Sequence, residues 1–181
     1  MTIFIHGFGS SGFSGKADLL RGYFRSIGEP YIAPSLSHIP KLAIATLDEL
    51  VDSYDDVTLI GSSLGGFYAL YLAERYNLRA VLINPSINPA KTLRRVIGSA
   101  VNYYDNTPMV WSESYLHMLE EYEVDETKSD YMLLIQKGDD LLDYREAISK
   151  VPHAMILVEE GGTHQFEGID HYFETIREFL L

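Results

Sequence analysis

A serine flanked by glycines is the part of this sequence whose residue types and spacing most directly indicate chemistry. Ser63 lies at the centre of the pattern Gly61-x-Ser63-x-Gly65, between an apolar run at residues 57–60 and a helix-like run at residues 67–75. In this strand–turn–helix context the pattern is typical of a nucleophile elbow, which holds a serine hydroxyl exposed on a sharp turn. Side chains at the two glycine positions would collide with neighbouring backbone. The sequence therefore predicts a reactive serine at the start of a helix, whose first N–H groups would face an oxyanion formed there.

A serine nucleophile needs a histidine base and an acid that orients the base, and candidates for both follow Ser63 in the chain. His164 lies in a glycine-containing loop after one apolar run, and Asp139 and Asp140 follow another, at residues 131–136. The order serine, acid, histidine is that of the α/β-hydrolase fold, and strand ends are where open α/β sheets place their sites. We expect Ser63 and His164 to act together. The residues alone leave the choice between the two adjacent aspartates open.

His38 is the alternative candidate for the base. It follows the second predicted strand and would border a pocket there, but it precedes Ser63 in the chain. Of the others, His171 lies in the final helix, His117 in the insert described below and His153 at the opposite edge of the sheet, while His6 belongs to the loop after the first strand. Strand-end placement and chain order both favour His164.

The loop after the first predicted strand supplies the remaining chemical feature. It begins His6-Gly7-Phe8-Gly9 and resembles the His-Gly loop that donates one N–H to an oxyanion hole, the second coming from the residue after the nucleophile. The predicted backbone donors are therefore those of Phe8 and Leu64. His6 is interpreted as a structural residue of the loop. A dinucleotide-binding role is disfavoured, because no acidic residue is placed to bind a ribose at the end of the next strand.

The elements that must position these residues alternate between strand-like and helix-like runs, which indicates a parallel sheet covered on both faces. We predict a three-layer α/β fold in one domain, residues 1–181, with a mostly parallel sheet of about six strands. The predicted strands are residues 2–6, 30–33, 57–61, 79–84, 131–136 and 154–159. The predicted helices are residues 16–27, 40–54, 64–76, 143–150 and 168–181.

Residues 85–128 do not fit this alternation, because the segment is far longer than a normal crossover between strands. It is rich in tyrosine and contains the single tryptophan, Trp111. We predict a lid-like insert of two or three short helices over the carboxyl edge of the sheet, with Trp111 or its aromatic neighbours closing a small acyl pocket.

Composition excludes several other classes of function. The formal net charge of −12 makes nucleic acids and anionic membranes poor partners, since both attract basic surfaces. The chain contains no cysteine, which removes disulfides, thiolate metal sites and thiol catalysis. We see no targeting segment and no apolar run near the ~18 residues that a membrane-spanning helix needs. The expectation is a cytoplasmic protein whose oligomeric state, monomer or dimer, is left open.

Five segments together resemble the small bacterial esterases of the YqiA type within the α/β-hydrolase superfamily, and the resemblance covers nearly the whole chain. The segments are residues 5–11, 61–67, 84–86, 138–144 and 161–166. The resemblance implies a compact hydrolase of carboxylic esters or thioesters that uses no metal and no organic cofactor. It also implies Asp139 as the triad acid, with Asp140 still possible, although the usual spacing of Gly-x-x-Asp is absent after Gly138.

The sequence therefore predicts a serine hydrolase of small, short-chain acyl esters that works through an acyl-enzyme on Ser63. A thioesterase or an acyltransferase on the same triad is an alternative within enzymes. A ligand-binding protein of this fold with low turnover is the alternative outside them. The expected catalytic residues are Ser63, His164 and Asp139, the expected oxyanion donors are Phe8 and Leu64, and the expected pocket residues are His6, Gly7, Ser62 and Trp111.

Overall fold

The computed structural model describes residues 1–181, and its centre is a parallel β-sheet of six strands. These strands are β1 (Thr2–Ile5), β2 (Tyr31–Ile32), β3 (Thr58–Ser62), β4 (Ala80–Ile83), β7 (Tyr131–Gln136) and β8 (Met155–Glu159); a separate pair consists of β5 (Ala100–Val101) and β6 (Pro108–Met109). The order in the main sheet is β2-β1-β3-β4-β7-β8, and all neighbouring strands run parallel.

Helices cover both faces of this sheet. They are α1 (Gly15–Ser26), α2 (Pro40–Ser53), α3 (Leu64–Tyr76), α4 (Pro89–Thr92), α5 (Glu113–Glu120), α6 (Tyr144–Lys150) and α7 (Phe173–Leu180). Helices α1 and α7 pack on one face, and α2, α3 and α6 pack on the other. Successive strand residues point to opposite faces of the sheet. Phe4 of β1 therefore belongs to the core beneath α1 and α7, whereas Ile3 and Ile5 belong to the core beneath α2, α3 and α6.

The three-layer α/β fold predicted from the sequence is therefore confirmed, and each predicted strand of the main sheet is present. The apolar runs of the four inner strands, β1, β3, β4 and β7, are buried on both sides, as strands between two helical layers must be. The edge strands β2 and β8 are partly exposed. Since all six strands are parallel, their carboxyl ends meet at one edge of the sheet. The loops after β1, β3, β7 and β8 consequently converge on the same region.

Two predicted elements differ in detail. The first part of the last predicted helix is a separate 3-10 turn at Ile169–Tyr172, and α7 begins only at Phe173. The segment at residues 85–128 contains α4, a 3-10 turn at Leu93–Val96 and α5, but also the antiparallel pair β5–β6, which was not predicted. Each strand of this pair has only two residues, so no alternation of apolar and polar residues marks it.

No helix of the structure combines the length and apolar character that crossing a membrane requires.

Candidate active site

Ser63 occupies a strained turn between β3 and α3. Its backbone has φ 56° and ψ −120°, a positive φ that a residue with a side chain adopts only when the surroundings enforce it. Two backbone hydrogen bonds enforce this conformation. Ser63 N–H donates to the carbonyl of Ile83 at 3.1 Å, and Ser86 N–H donates to the carbonyl of Ser63 at 3.0 Å. The turn thus directs the Ser63 hydroxyl away from the sheet.

The two glycines of the elbow are required by close backbone approach, as the sequence predicted. A Cβ atom at Gly65 would overlap the carbonyl of Ile5 in the neighbouring strand, and one at Gly61 would overlap the carbonyl of Gly65 and the side chain of Ala69. Helix α3 can therefore begin directly against the sheet. Larger residues at either position would push the Ser63 turn out of place.

A line of two hydrogen bonds joins Ser63, His164 and Asp139. His164 Nε2 lies 2.9 Å from Ser63 Oγ, and His164 Nδ1 lies 2.8 Å from Asp139 Oδ2. The carboxylate is 3 % exposed and the imidazole 15 % exposed, so both groups are shielded while the imidazole still borders a cavity. This arrangement allows the imidazole to accept the hydroxyl proton while its Nδ1–H stays bonded to the carboxylate.

The three neighbouring aspartates have different surroundings. Burial alone would raise the pKa of Asp139, but hydrogen bonds from His164 and from the N–H groups of Leu141 and Leu142 outweigh it and hold that pKa below its usual value. Asp140 is exposed and forms no contact with His164. Asp143 accepts a hydrogen bond from Arg145 N–H and caps α6. Of the three, Asp139 alone reaches the imidazole.

The loop that carries His164 is held by two buried polar side chains that sequence reasoning did not assign a role. Asn84 donates its Nδ2–H to the carbonyls of Thr163, at 3.0 Å, and His164, at 3.4 Å, and its Oδ1 accepts from Gln136 N–H. The Gln136 side chain in turn accepts from the N–H groups of Thr163 and Glu167. The only signal in the sequence for this role is a polar residue at the end of each of two apolar strands.

The loop after β1 lies directly against the serine. A Cβ atom at Gly7 would be 3.1 Å from Ser63 Cβ and 3.6 Å from its Oγ. The next N–H group, that of Phe8, has no acceptor within the protein. Leu64 begins α3, where N–H groups have no partner inside the helix. Two backbone donors therefore flank Ser63.

His6 is engaged at both ring nitrogens. Nδ1 lies 2.9 Å from the carbonyl of Gly7, and Nε2 accepts a hydrogen bond from Leu36 N–H, also at 2.9 Å. Nδ1 must carry the proton, because a carbonyl can only accept. Burial lowers the pKa of His6, and the bond to the Gly7 carbonyl offsets this only partly. His6 is thus a neutral side chain whose hydrogen bonds connect the loops after β1 and β2.

The neutral state of His6 in the folded protein predicts a pH dependence of stability. Because the folded protein disfavours protonated His6, the unfolded chain binds more protons as the pH falls below the ordinary imidazole value of 6.5, and the free energy of unfolding decreases there. In His6→Gln, which keeps an uncharged acceptor, this part of the decrease is expected to vanish. Urea unfolding at pH 7.5 and 5.5 measures it, with the exposed His171→Gln as control. Equal losses in wild type and His6→Gln would contradict the prediction.

A cavity of about 910 Å³ opens at the carboxyl edge of the sheet. Ser63 and His164 line it, as do the predicted pocket residues His6, Gly7 and Ser62. Its volume lies within the usual range of small-molecule sites, and the small acyl pocket stays a prediction. A second cavity of about 440 Å³ lies on the other side of the loop after β1 and includes the exposed His38, which makes no contact with Ser63.

Trp111 does not line either cavity, which corrects the sequence prediction. Its ring is 0 % exposed and packs edge-on against Phe8 and Tyr115, with centroid distances of 4.8 and 5.4 Å. The aromatic content of the insert suggested cover for a pocket, but this ring is part of the core beneath it. The insert residues that border the larger cavity are Ser86, Thr92, Leu93, Arg95, Val96, Tyr103 and Tyr104.

No cluster of three or more His, Asp or Glu side chains is arranged to hold a metal ion.

A family model described as "Uncharacterised protein family (UPF0227)" matches residues 1–181, the full length of the chain. The chain belongs to the UPF0227 family. A UPF0227 protein of Pectobacterium atrosepticum is 26% identical over 99% of this chain and 98% of the relative. The UPF0227 protein YcfP of Salmonella arizonae is 25% identical over the same shares. The resemblance found in the sequence motifs is therefore confirmed at the level of the family.

Solved structures place this UPF0227 chain in the α/β-hydrolase fold. The mouse alpha/beta hydrolase domain-containing protein 10 has a TM-score of 0.80 at 15% identity, covering 98% of this chain and 88% of that one. Est1E from Butyrivibrio proteoclasticus with bound ferulic acid has a TM-score of 0.77 at 15% identity, covering 99% and 87%. A monoacylglycerol lipase of Paleococcus ferrophilus has a TM-score of 0.74 at 18% identity, covering 99% and 93%. These neighbours are hydrolases, esterases and lipases.

Proposed function

We propose that this UPF0227 chain is a serine hydrolase that cleaves carboxylic esters through an acyl-enzyme on Ser63. The observation that carries the proposal is the line of hydrogen bonds from Asp139 through His164 to Ser63, in the lining of a cavity large enough for a small molecule. A buried carboxylate, an imidazole and a hydroxyl in this order are the parts of acyl transfer to serine. The strained backbone of Ser63 gives further support, because such strain concentrates at functional sites.

In the proposed reaction, Ser63 Oγ attacks the acyl carbon while His164 Nε2 takes the hydroxyl proton. Asp139 holds the imidazole with Nδ1 protonated and stabilises the imidazolium that forms. The negative charge moves to the former carbonyl oxygen, where the N–H groups of Phe8 and Leu64 bind it. The imidazolium then protonates the departing alcohol. Water, deprotonated by His164, attacks the acyl-enzyme, and the acid leaves as Ser63 regains its proton.

The structural neighbours favour an ester over other acyl compounds, since one is a monoacylglycerol lipase and another, Est1E, has ferulic acid bound. A thioester, or transfer to an acceptor other than water, would use the same steps and is the alternative within enzymes. A binding protein with negligible turnover would leave the strained Ser63 without a use.

We further propose that the chain is a single domain and that residues 85–128 cover the site and limit the acyl chain. Charged side chains line the larger cavity, among them Lys16, Arg95 and Glu167. A long alkyl chain would remove water from these charges without replacing their hydrogen bonds. Short acyl groups avoid this cost of removing water from charges, whereas a longer chain would have to lie along the apolar part of the lining, such as Leu19, Leu93 and Val96.

A panel of p-nitrophenyl esters tests the function and the chain length together. We expect acetyl to hexanoyl esters to have a higher kcat/KM than esters of about twelve or more carbons, because each further methylene gains only ~0.8 kcal/mol and only when it is buried in apolar surroundings. Matched thioesters in the same panel separate the alternative enzyme class. A steady rise in kcat/KM toward long chains would contradict the short-chain proposal, and no turnover on any member would contradict the enzyme.

A further inference from the structure

Lys16 is a cation inside the larger cavity that the proposed mechanism does not use. It belongs to the first turn of α1 and lies in the cavity lining together with Ser63 and His164. Its Nζ donates a hydrogen bond of 2.8 Å to Ser62 Oγ, and Ser62 directly precedes the nucleophile. The ammonium group is therefore held in the same cavity as the proposed nucleophile.

The charge of Lys16 has no counterpart in the protein. Its Nζ forms no ion pair with any Asp or Glu, whereas other lysines such as Lys41 and Lys128 pair with glutamates. Burial lowers its pKa to about 8, with no neighbouring charge to oppose the shift. The two acidic residues that line the cavity, Glu167 and Asp170, are exposed.

The Lys16 side chain is half-buried in the cavity. An unpaired charge that is partly withdrawn from water is costly, and a bound anion would remove that cost. The first turn of α1 also borders the cavity, so the positive end of the helix dipole acts in the same direction as Lys16. The rest of the chain has the opposite character, with a formal net charge of −12. Lys16 and the start of α1 thus place positive charge in the cavity of a chain that is acidic as a whole, while the two acidic residues of the lining lie at exposed positions.

We propose that Lys16 binds a carboxylate of the substrate, so that the preferred substrates are esters that carry a free carboxylate as well as the ester bond. This inference rests on the proposed function and names the class of substrate for the same site. A carboxylate suits the position because one ammonium group and one hydroxyl, that of Ser62, match a single negative charge with two acceptor oxygens. Lys16 acts here as a specificity residue and takes no part in bond breaking.

Two pairs of substrates that differ only in charge test the proposal. In the first, mono-p-nitrophenyl adipate carries the carboxylate on the acyl side, and its methyl ester is the neutral match. In the second, para-acetoxybenzoate carries the carboxylate on the alcohol side, and methyl para-acetoxybenzoate is the neutral match. The measured quantity is the ratio of kcat/KM for the anionic ester to kcat/KM for the neutral ester, and the pair with the higher ratio shows which side of the ester faces Lys16.

We expect wild type to prefer the anionic ester in at least one pair, and Lys16→Met to lower that ratio at least about tenfold, the usual worth of a hydrogen bond to a charged group. Lys16→Arg should keep most of the preference, since it keeps the charge. Arg25→Met is the matched control, because Arg25 is an exposed cation at the other end of the same helix. Its ratio should equal that of wild type.

The ratio should also depend on pH. Lys16 is charged below its pKa of about 8 and neutral above it, so the wild-type ratio should fall as the pH rises through 8, while the ratio for Lys16→Met stays flat. The other groups in the cavity that titrate or carry charge are His6, His164, Arg95, Glu167 and Asp170, with Tyr103 and Tyr104 at its edge. All of these are the same in both proteins, so the difference between the two profiles isolates Lys16.

The outcomes separate this inference from the proposed function. Equal loss on both members of a pair in Lys16→Met, or no anionic preference in wild type, overturns the role of Lys16 while ester hydrolysis stands. If wild type hydrolyses none of the four esters, the proposed function fails, and calorimetric titration with adipate then decides the role of Lys16. Binding to wild type that is lost in Lys16→Met supports it, and no binding to wild type overturns it.

Discussion

Ser63→Ala is expected to lower kcat on a short-chain ester by a factor on the order of 10⁶, as loss of a triad serine does elsewhere. The side chain that is removed supplies the only atom proposed to bond with the substrate, so nothing in the cavity can replace it. The fold should remain intact, because the strain at Ser63 lies in its backbone and the backbone hydrogen bonds to Ile83 and Ser86 do not involve the hydroxyl. Single-turnover kinetics and circular dichroism measure the two effects.

Covalent labelling sharpens this test. A fluorophosphonate probe should modify wild type once, at Ser63, and should leave Ser63→Ala unmodified, as shown by mass spectrometry of the peptides. Ser26→Ala, at an exposed serine of α1, is a suitable control and should be labelled like wild type. A folded Ser63→Ala protein that keeps more than a few per cent of the activity would refute the proposed nucleophile.

The second large effect is expected at Asp139. Asparagine at this position keeps the shape of the side chain, and the N–H groups of Leu141 and Leu142 hold its oxygen, so that it presents an N–H donor to His164 Nδ1. His164 then carries its proton on Nε2 and cannot accept the serine proton there. A decrease in kcat on the order of 10⁴ is expected. Asp140→Asn makes the same chemical change one residue away on an exposed side chain, and should alter kcat by less than about tenfold.

This pair of variants carries its own control, because both remove one negative charge from the same loop. Purified and folded proteins should be compared by kcat on one ester and by thermal unfolding. If Asp140→Asn is the more damaging change, the orienting acid is Asp140, despite the 2.8 Å bond from His164 to Asp139. If both effects are small, the acid lies elsewhere, and Asp143 is the next residue to replace.

Much of the fold and of the site follows from local patterns in the sequence. The buried strands are continuous apolar runs, and the elbow is a short motif whose glycines have a steric reason that the structure bears out at Gly61 and Gly65. His164 and Asp139 follow strands of a parallel sheet, so topology alone brings them to the same edge as Ser63.

Other parts of the site depend on contacts between distant segments, which no local pattern contains. Lys16 and Ser62 are separated by 46 positions in the chain, and Asn84 and Thr163 by 79. Trp111 was misplaced for the same reason, because an aromatic ring in a polar segment can pack inward against Phe8 or outward over a pocket. The neighbours of such a side chain are decided by tertiary packing.

The segment between β4 and β7 has a consequence for how this family can vary. It contributes Arg95, Tyr103 and Tyr104 to the cavity, but the side-chain hydrogen bonds among Ser63, His164 and Asp139 involve no residue of it. Ser63, Asp139 and His164 lie in loops that directly follow strands of the sheet, whereas much of the border of the cavity comes from one continuous stretch of chain. Exchange of residues 89–128 between relatives would therefore replace the side chains that this stretch contributes to the cavity in one step and keep Ser63, His164 and Asp139, provided that the residue at position 111 still packs against Phe8.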